Sequence, residues 1–259
     1  MKAKIILTFD LEEFDLPLEH NCPISEEMQI SITNEGLQRL LYLLDFHDIK
    51  ATFFTTGNFC EKGLNSIKSL SEKHEIGSHA YYHSQFDEEY IIRSKRVLEI
   101  VTGKQVKGFR MPRFQEVDYE KLKQAGYTYD SSMNPTFIPG RYNNFRISRK
   151  PFNVSNSGIT EFPVSVSTFI RIPLFWLSFK ILPLFLYQRL CTWALNKDKF
   201  LHLYFHPWEF AQIDQYNIPG YIKNLNGERY SMKFDELLKF LKKNGEFVTV
   251  SEFLESYQL

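Results

Sequence analysis

The sequence lacks an excess of charge of either sign. Lys and Arg together number 31, as do Asp and Glu, so the formal net charge of the 259 residues is zero. A protein that binds nucleic acid usually carries a basic excess or a basic patch on one face. The balance of charges therefore argues against a nucleic-acid partner.

Cysteine is also scarce. The three cysteines, Cys22, Cys60 and Cys191, are odd in number, far apart in the chain, and form no CxxC pair. A disulfide framework needs an even set of cysteines, and a thiolate zinc site needs cysteines in close pairs. We therefore expect three free thiols, buried in the protein interior.

The N-terminal segment lacks the pattern of a secretory signal. The residues Met1 to Lys4 lead directly into a short apolar run that predicts a strand. A signal peptide has a longer apolar core before its cleavage site. The expectation is a cytoplasmic protein, unless a leader has been removed.

One apolar segment, residues 169–190, lacks the length and purity of a membrane span. Arg171, Lys180, Pro173 and Pro183 interrupt it, whereas a spanning helix needs about 20 apolar residues without a central charge. We expect a buried helix or helical hairpin. The alternatives are a peripheral membrane contact through this segment, with the two cations meeting lipid phosphates, and a true transmembrane helix.

Short apolar runs alternate with helical patterns along the whole chain. This alternation predicts an α/β fold with a parallel sheet, specifically a distorted (β/α) barrel of seven or eight strands in a single domain, residues 1–259. The predicted strands are Lys4–Asp10, Ala51–Thr56, Glu75–Ser78, Lys107–Arg110, Tyr127–Asp130, Thr160–Pro163, Leu201–His206 and Phe247–Val250. The predicted helices are Glu35–Phe46, Ile91–Val101, Tyr119–Gln124 and Phe234–Lys243.

The first polar group of interest ends the first predicted strand. Asp10 and Glu12 are two residues apart, so an extended backbone turns both side chains to the same face and Leu11 to the other. Two carboxylates that share one point repel each other unless a cation or a proton lies between them. The same residues are also compatible with an ordinary acidic strand end.

A second group, His79 and His83, follows another predicted strand. A spacing of four residues places both rings on one face of a helix, where they can bind one divalent metal. The spacing alone is weak, because such pairs also occur by chance. We interpret His20, His47, His74 and His202 as surface or structural histidines.

Three further polar residues lie at strand ends. Arg110 is suited to holding a carboxylate, and His206 closes an apolar strand as a candidate general acid. Asp130 also ends a strand, where Asp is equally common as a helix cap or turn residue. In a parallel barrel the carboxyl ends of the strands form the face that carries active sites, so these residues are expected to meet.

Together, the five motifs in this order resemble the polysaccharide deacetylase family, the NodB-homology domain also called carbohydrate esterase family 4. The resemblance extends from Lys4 to about Val250. The segments FDLE, GYTYDSS and FHPWE resemble a subgroup associated with exopolysaccharide and capsule synthesis. An N-acetylated carbohydrate is the substrate that this resemblance implies.

The resemblance also implies roles for individual residues. Asp10 would be the general base, Arg110 would hold it, His206 would be the general acid, and Asp130 would orient or tune His206. The implied metal ligands are Glu12, His79 and His83, with a divalent ion, most simply zinc, as the cofactor. Most of the family has a second aspartate where this chain has Leu11, which cannot bind metal, so Glu12 is taken as its substitute. Another divalent ion, or none, is therefore an alternative.

Two other functions are compatible with the same sequence. One is a same-fold amidohydrolase of the allantoinase type, which acts on a small C–N bond with or without a metal. The other is a carbohydrate-binding protein on a barrel that has lost catalysis. The set of Asp10, Arg110 and His206 argues against the second, because binding alone needs no acid and base.

Overall fold

The chain folds around one curled β-sheet, and the structure, a computed structural model, describes residues 2–257. The strands are β1 Lys4–Leu11, β2 Thr52–Thr55, β3 Glu75–Ser78, β4 Gly108–Phe109, β5 Tyr129–Asp130, β6 Phe137–Ile138, β7 Tyr142–Asn143, β8 Phe152–Asn153, β9 Thr160–Glu161, β10 Phe200–Phe205 and β11 Glu246–Phe247. The helices are α1 Leu16–Glu19, α2 Glu26–Phe46, α3 Gly57–Lys62, α4 Leu64–Lys73, α5 Glu89–Thr102, α6 Tyr119–Gln124, α7 Trp176–Ile181, α8 Leu184–Asp198, α9 Gly220–Lys223, α10 Gly227–Asn244 and α11 Val250–Ser256.

Eight strands follow one another in the order β10-β1-β2-β3-β4-β5-β9-β8, with β11 beside β1. All neighbours are parallel except β8 and β9, and β6 and β7 form a separate hairpin. The sheet curls as a half-barrel. The Ser165 N–H, just beyond β9, donates to the His202 carbonyl of β10 at 2.8 Å. The predicted α/β barrel-type fold is confirmed.

Alternation along β1 separates the apolar core from the polar interior. Leu7, Phe9 and Leu11 face outward and pack with the helices in the main hydrophobic cluster. Thr8 and Asp10 point the other way and are buried inside the curl of the sheet. The strand therefore carries its polar side chains towards one interior space, which leads to the ends of the parallel strands.

Helix α2 packs against the turn that follows β10. It begins after Ser25, whose hydroxyl accepts the Met28 N–H, and it buries Leu40 and Leu44. Gly36 permits unusually close contact, because a Cβ at this position would lie 1.9 Å from the Pro207 carbonyl oxygen. This packing fixes the short 3₁₀ turn of residues 207–210.

The apolar segment of residues 169–190 forms a turn followed by α7 and the first half of α8. Phe179 and Tyr187 are fully buried, in agreement with the predicted helical hairpin, whereas Phe169 and Ile170 are exposed. Within residues 2–257, no helix is long and apolar enough to cross a membrane.

The two cations of this segment bind backbone carbonyls, whereas the membrane alternative has both of them meeting lipid phosphates. The Lys180 ammonium is buried and donates to the Ile222 carbonyl at 2.8 Å. Arg171 donates to the carbonyls of Pro135 and Ile147. Both charges therefore serve the packing of their own surroundings.

Candidate active site

Arg110 lies at the centre of the polar interior and binds Asp10. Its side chain is fully buried, and Nη1 donates to Asp10 Oδ1 at 2.7 Å, so the predicted contact is confirmed. The same nitrogen donates to the Thr8 hydroxyl, while Nε and Nη2 donate to the carbonyl and hydroxyl of Ser131. With so many fixed partners, the guanidinium holds Asp10 in one orientation.

His202 completes this arrangement as a structural histidine. Its Nδ1 faces the Pro163 carbonyl at 3.1 Å, so the neutral ring donates there and Nε2 accepts from Arg110 Nη2 at 3.2 Å. Burial, together with the charge of Arg110, lowers the pKa of His202 well below its ordinary value. The ring thus remains a neutral acceptor for the arginine.

Glu12 faces both histidines of the HxxxH motif. Glu12 Oε2 lies 3.1 Å from His79 Nε2 and 3.3 Å from His83 Nε2. The fully buried Leu11 points into the outer core, as strand alternation predicts. The expected proximity of Glu12 to the two histidines is therefore present, while its role as a ligand stays a prediction.

The predicted helix that carries the two histidines is wrong. The residues after β3 form a loop, in which Ala80 has a left-handed φ of 56°. The His79 N–H continues the strand contact by donating to the Thr55 carbonyl at 2.9 Å. The loop then folds back on itself, so that the rings of His79 and His83 stack with centroids 5.8 Å apart. Convergence of the pair comes from this turn and not from helical periodicity.

Each of the two histidines has its other ring nitrogen fixed. His79 Nδ1 donates to the Arg110 carbonyl at 2.8 Å, and His83 Nδ1 donates to the Asp15 carboxylate at 2.8 Å. In a neutral ring this leaves the lone pair of each Nε2 directed at Glu12. Such partners are typical of metal-binding histidines, because they set the tautomer and the ring orientation.

This donor set fits a divalent metal. Single ligand atoms of Glu12, His79 and His83 all lie within 4.8 Å of one another. Two imidazole nitrogens and one carboxylate oxygen are the ligands of many catalytic zinc sites, which keep a further position open. Nitrogen lone pairs that face a carboxylate require a cation or a proton between them, and a metal supplies that charge.

The charges around Glu12 agree with this interpretation. Burial opposes ionisation of Glu12, but the charges of His83 and His206 and the hydrogen bond from His79 outweigh it, so its pKa lies below the ordinary range. Burial likewise opposes a charge on His83, yet Glu12 and Asp15 raise the pKa of His83 to about 9. The cluster favours a carboxylate beside a positive charge.

His206 lies opposite these groups and is oriented by Glu209. His206 Nδ1 donates to Glu209 Oε1 at 2.8 Å, and the His206 N–H donates to the same oxygen at 3.2 Å. His206 Nε2 is directed into the site, 3.9 Å from Asp10 Oδ2. Burial disfavours a charge on the ring, but Glu12 and Glu209 raise the pKa of His206 above its ordinary value.

The predicted role of Asp130 in orienting His206 is wrong. The fully buried Asp130 instead accepts from the backbone N–H and the hydroxyl of Ser132, and its neighbour is Glu161 on β9. Burial and the charge of Asp130 raise the pKa of Glu161 well above its ordinary value, so the two acids share a proton. The Ser132 hydroxyl accepts the Met111 N–H, which links this pair to the loop after Arg110.

Sequence reasoning missed three residues that support the site: Asp15, Glu209 and Trp208. Trp208 Nε1 donates to Glu12 Oε1 at 3.2 Å, and its ring stacks on His206. All three lie within five residues of a predicted site residue. Their short polar or aromatic motifs were visible in the sequence, but the direction of each side chain was not.

The site opens into a cavity of about 530 Å³ at the carboxyl ends of the strands. Asp10, Glu12, His79, His83 and His206 all line it, together with an aromatic wall. The aromatic lining residues are Phe114, Trp176, Tyr204, Trp208 and Tyr221. Apolar walls around a few convergent polar groups are typical of small-molecule sites.

Two family models divide the chain almost equally. Residues 2–129 match the family described as polysaccharide deacetylase, and residues 131–255 match a domain of unknown function, DUF3473. The deacetylase match ends well before the limit of about Val250 that the motifs predict. His206 and Glu209 therefore lie in the second region, although they line the same site as Asp10.

Individual relatives agree with the first match. A peptidoglycan-N-acetylglucosamine deacetylase of Bacillus cereus is 35% identical over 99 residues, which cover 35% of this chain and 36% of that protein. The chain aligns with only about a third of the length of the curated relatives that it matches.

Solved structures share the fold over nearly the whole chain. A Mycobacterium smegmatis protein assigned to the polysaccharide deacetylases has a TM-score of 0.66 at 20% identity, covering 98% of this chain and 90% of that one. An allantoinase has a TM-score of 0.65 at 13% identity, covering 97% and 89%. At these identities the similarity establishes the fold alone.

Proposed function

Residues 2–129 match the polysaccharide deacetylase family, and we propose that the whole protein is a metal-dependent hydrolase that removes the acetyl group from an N-acetylated sugar. One observation carries this proposal: the Asp10–Arg110 pair, the Glu12–His79–His83 cluster and the His206–Glu209 pair all meet at one cavity. Acetamide hydrolysis needs a base, an acid and an electrophile at one carbonyl, and these three groups supply them.

Asp10 is the proposed general base. Arg110 holds Oδ1, which leaves Oδ2 directed towards the histidines, 4.0 Å from His79 Nε2. Zinc held by Glu12, His79 and His83 would supply Lewis-acid polarisation of the acetyl carbonyl. Asp10 Oδ2 takes a proton from the attacking water as its oxygen bonds to the carbonyl carbon.

His206 is the proposed general acid. Its Nδ1–H is held by Glu209, so that a proton on Nε2 faces the cavity. As the C–N bond breaks, Nε2 donates this proton to the sugar nitrogen, and acetate and an amino sugar are the products. The raised pKa of His206 favours the protonated ring, which is the form that donates.

The aromatic wall supports a carbohydrate substrate. The rings of Trp176 and Tyr204 line the cavity, and sugar faces stack on such rings. We propose a polysaccharide, or its lipid- or nucleotide-linked precursor in exopolysaccharide or capsule synthesis, as the source of the acetylated sugar. Because β1 pairs with β10 and both regions line the cavity, residues 1–259 are proposed to act as one domain, of which residues 2–257 are described.

The test is acetate release from N-acetylglucosamine oligosaccharides by the zinc-loaded protein. Asp10→Asn and His206→Ala should each lower kcat about 100-fold or more, because each removes one proton-transfer group. Asp45→Asn, an exposed acid on α2, serves as the control and should retain wild-type kcat. Near-wild-type turnover of either site variant would reject the assigned roles.

Elemental analysis and a second substrate separate the alternatives. Bound metal together with acetate release supports the deacetylase. Hydrolysis of allantoin by the metal-free protein, without acetate release, would replace it with the amidohydrolase. Binding of oligosaccharide without turnover of either substrate would indicate a barrel that only binds carbohydrate.

A further inference from the structure

The charges of this balanced chain are strongly segregated. Residues 131–197 contain eight Lys and Arg residues but a single acidic residue, Glu161. Glu161 is fully buried and shares a proton with Asp130, so it contributes no negative charge to the surface. Because the whole chain has equal numbers of acids and bases, the remainder carries a net excess of seven acids. The surface formed by residues 131–197 therefore carries basic side chains and no exposed acid of its own, although Glu19 and Asp198 from outside this range lie near Arg141 and Arg149.

The same region exposes large apolar side chains. Phe137 and Phe145 on the β6–β7 hairpin are 56% and 46% exposed, and Phe169 and Ile170 at the turn before α7 are 81% and 70% exposed. Exposed cations lie among them along the chain: Arg141, Arg146 and Lys150. We call these four apolar and three basic side chains the acid-free surface.

Direct contacts join the two segments of the acid-free surface. Arg171 donates to the carbonyls of Pro135 and Ile147, and its guanidinium lies 4.9 Å from the ring centroid of Phe145. Arg149 donates to the Thr168 carbonyl at 3.1 Å. The hairpin region and the turn are therefore neighbours in space. Arg149 and Arg171 hold them together by donating to backbone carbonyls of the facing segment.

The acid-free surface reaches the mouth of the active-site cavity. Gly140 and Arg141, at the tip of the β6–β7 hairpin, line the cavity together with the catalytic groups. A molecule bound to this surface would thus lie next to the entrance of the cavity.

We propose that the acid-free surface docks on a bilayer of anionic phospholipid. Several large exposed apolar side chains on neighbouring segments are unusual on a soluble monomer, and such side chains lose contact with water when they enter the interface of a bilayer. Exposed cations beside them meet lipid phosphates, and the lack of exposed acids within residues 131–197 keeps repulsion from the membrane low. Of residues 169–190, the proposed membrane contact includes only Phe169 and Ile170, and it adds the exposed side chains of the β6–β7 hairpin and the residues that follow it. It does not depend on the proposed deacetylase activity.

The experiment is flotation of the purified full chain with vesicles. The protein should float with phosphatidylcholine–phosphatidylglycerol vesicles and less with phosphatidylcholine alone, and added salt should release it because salt screens the cations. R146Q/K150Q should lower the partition coefficient about 25-fold, on the basis of about fivefold for each basic residue. F169S/I170S should lower it roughly tenfold or more, since two apolar side chains no longer insert.

Matched controls lie elsewhere on the surface. Ile100 on α5 is 82% exposed, and Lys68 and Lys123 are exposed, so I100S and K68Q/K123Q change similar groups outside the acid-free surface. These controls should float like the wild type. Equal flotation of all variants, or equal loss in the controls, would overturn the proposal. So would a dimer in solution that F169S/I170S dissociates, because the surface would then bind a second copy of the chain.

Failure of docking and failure of the proposed function are separable. Acetate release from a soluble oligosaccharide does not need a membrane, so F169S/I170S should retain that activity. An active protein that does not float rejects the docking surface alone. A protein that floats but releases no acetate rejects the deacetylase alone.

Discussion

The imidazole of His83 is fixed through one nitrogen and faces Glu12 with the other. Asp15 supplies that fixed contact, with both carboxylate oxygens within 2.9 Å of His83 Nδ1. A carboxylate behind a metal-binding histidine increases its basicity and holds the ring in place. We therefore expect Asp15 to support metal binding through His83, without being a ligand itself.

Replacement of Asp15 should weaken metal binding. Asp15→Asn keeps the shape but removes the charge, and we expect zinc affinity to fall by about 10- to 100-fold. Competition against a chromogenic chelator measures this affinity directly. Asp235→Asn is the control, because Asp235 accepts from His47 far from the cavity. Unchanged zinc affinity in Asp15→Asn would show that His83 is not a ligand.

Replacement of Glu209 should impair proton donation by His206. Glu209→Gln removes the charge beside Nδ1, and we expect kcat for an acetylated amino sugar to fall by about 10- to 100-fold. A nitrophenyl acetate should be affected far less, because its leaving group departs without a proton.

Asp130→Asn tests whether Asp130, as the family resemblance implies, or Glu209, as the structure indicates, orients His206. Asp130 has no hydrogen bond to His206 within residues 2–257, so its replacement should not produce a dependence on the leaving group. The assignment to Glu209 would be contradicted if Asp130→Asn selectively impaired amide hydrolysis while Glu209→Gln did not.

Strand-end position was the signal that located the site residues in the sequence. Asp10, Arg110 and His206 each follow an apolar run, and parallel strands bring such ends together. The error at Asp130 has a physical cause, since its partner Glu161 lies 31 residues later on β9 and only sheet pairing brings them together. Distances and partners of this kind depend on neighbours that a local motif does not contain.

At the scale of elements, α2 supports the turn that follows His206 and contains Glu209 through one close contact, at Gly36. Gly36→Ala would place a methyl group against the Pro207 carbonyl, and a backbone atom cannot rotate away. We expect a loss of about 1–3 kcal/mol in the free energy of unfolding, as in other overpacked sites. Because the displaced turn carries His206 and Glu209, kcat should fall as well.

Gly63→Ala provides the control for this effect. The nearest atom to a Cβ at Gly63 is the Phe59 carbonyl oxygen at 3.4 Å, which is an ordinary contact. Thermal denaturation and acetate release should distinguish the two variants. A Gly36→Ala protein as stable and active as Gly63→Ala would show that α2 does not position the turn.

Seven of the eight strands predicted from the sequence exist, with ends that differ by a few residues, whereas the predicted strand Phe247–Val250 overlaps β11 only at Phe247 and Val250 begins α11. Alternation and short apolar runs identify strands because burial imposes them. The sequence was less informative for the β6–β7 hairpin and for short helices such as α1 and α9, whose few residues contain no complete period. The loop around Ala80 was interpreted as a helix because two histidines four residues apart can converge either on one face of a helix or in a tight loop.

For the whole molecule, the buried acid pair predicts how stability depends on pH. The raised pKa of Glu161 means that the folded protein keeps a proton that the unfolded chain releases above about pH 4.3. Stability from this proton is full below the pKa of the unfolded chain and is lost as the pH rises. Glu161→Gln cannot ionise and should escape that loss.

The measurement is the Tm of Glu161→Gln minus that of the wild type. This difference should become more positive between about pH 5 and about pH 8, which lie above the pKa of a free glutamate. Glu236→Gln, an exposed change on α10, should show a constant difference. A constant difference for Glu161→Gln as well would mean that the buried pair carries no shared proton.

The curled sheet has a seam, because β9 and β10 meet through Ser165 and not through a ladder of strand pairs among residues 2–257. Local opening on heating should begin there, and amide hydrogen exchange at Ser165 should be faster than along β1. Asp10 and His206 belong to or directly follow β1 and β10, which remain paired over six residues. The first breathing motions of the barrel would therefore leave the base and the acid in register, and loss of activity on warming should lag behind exchange at the seam.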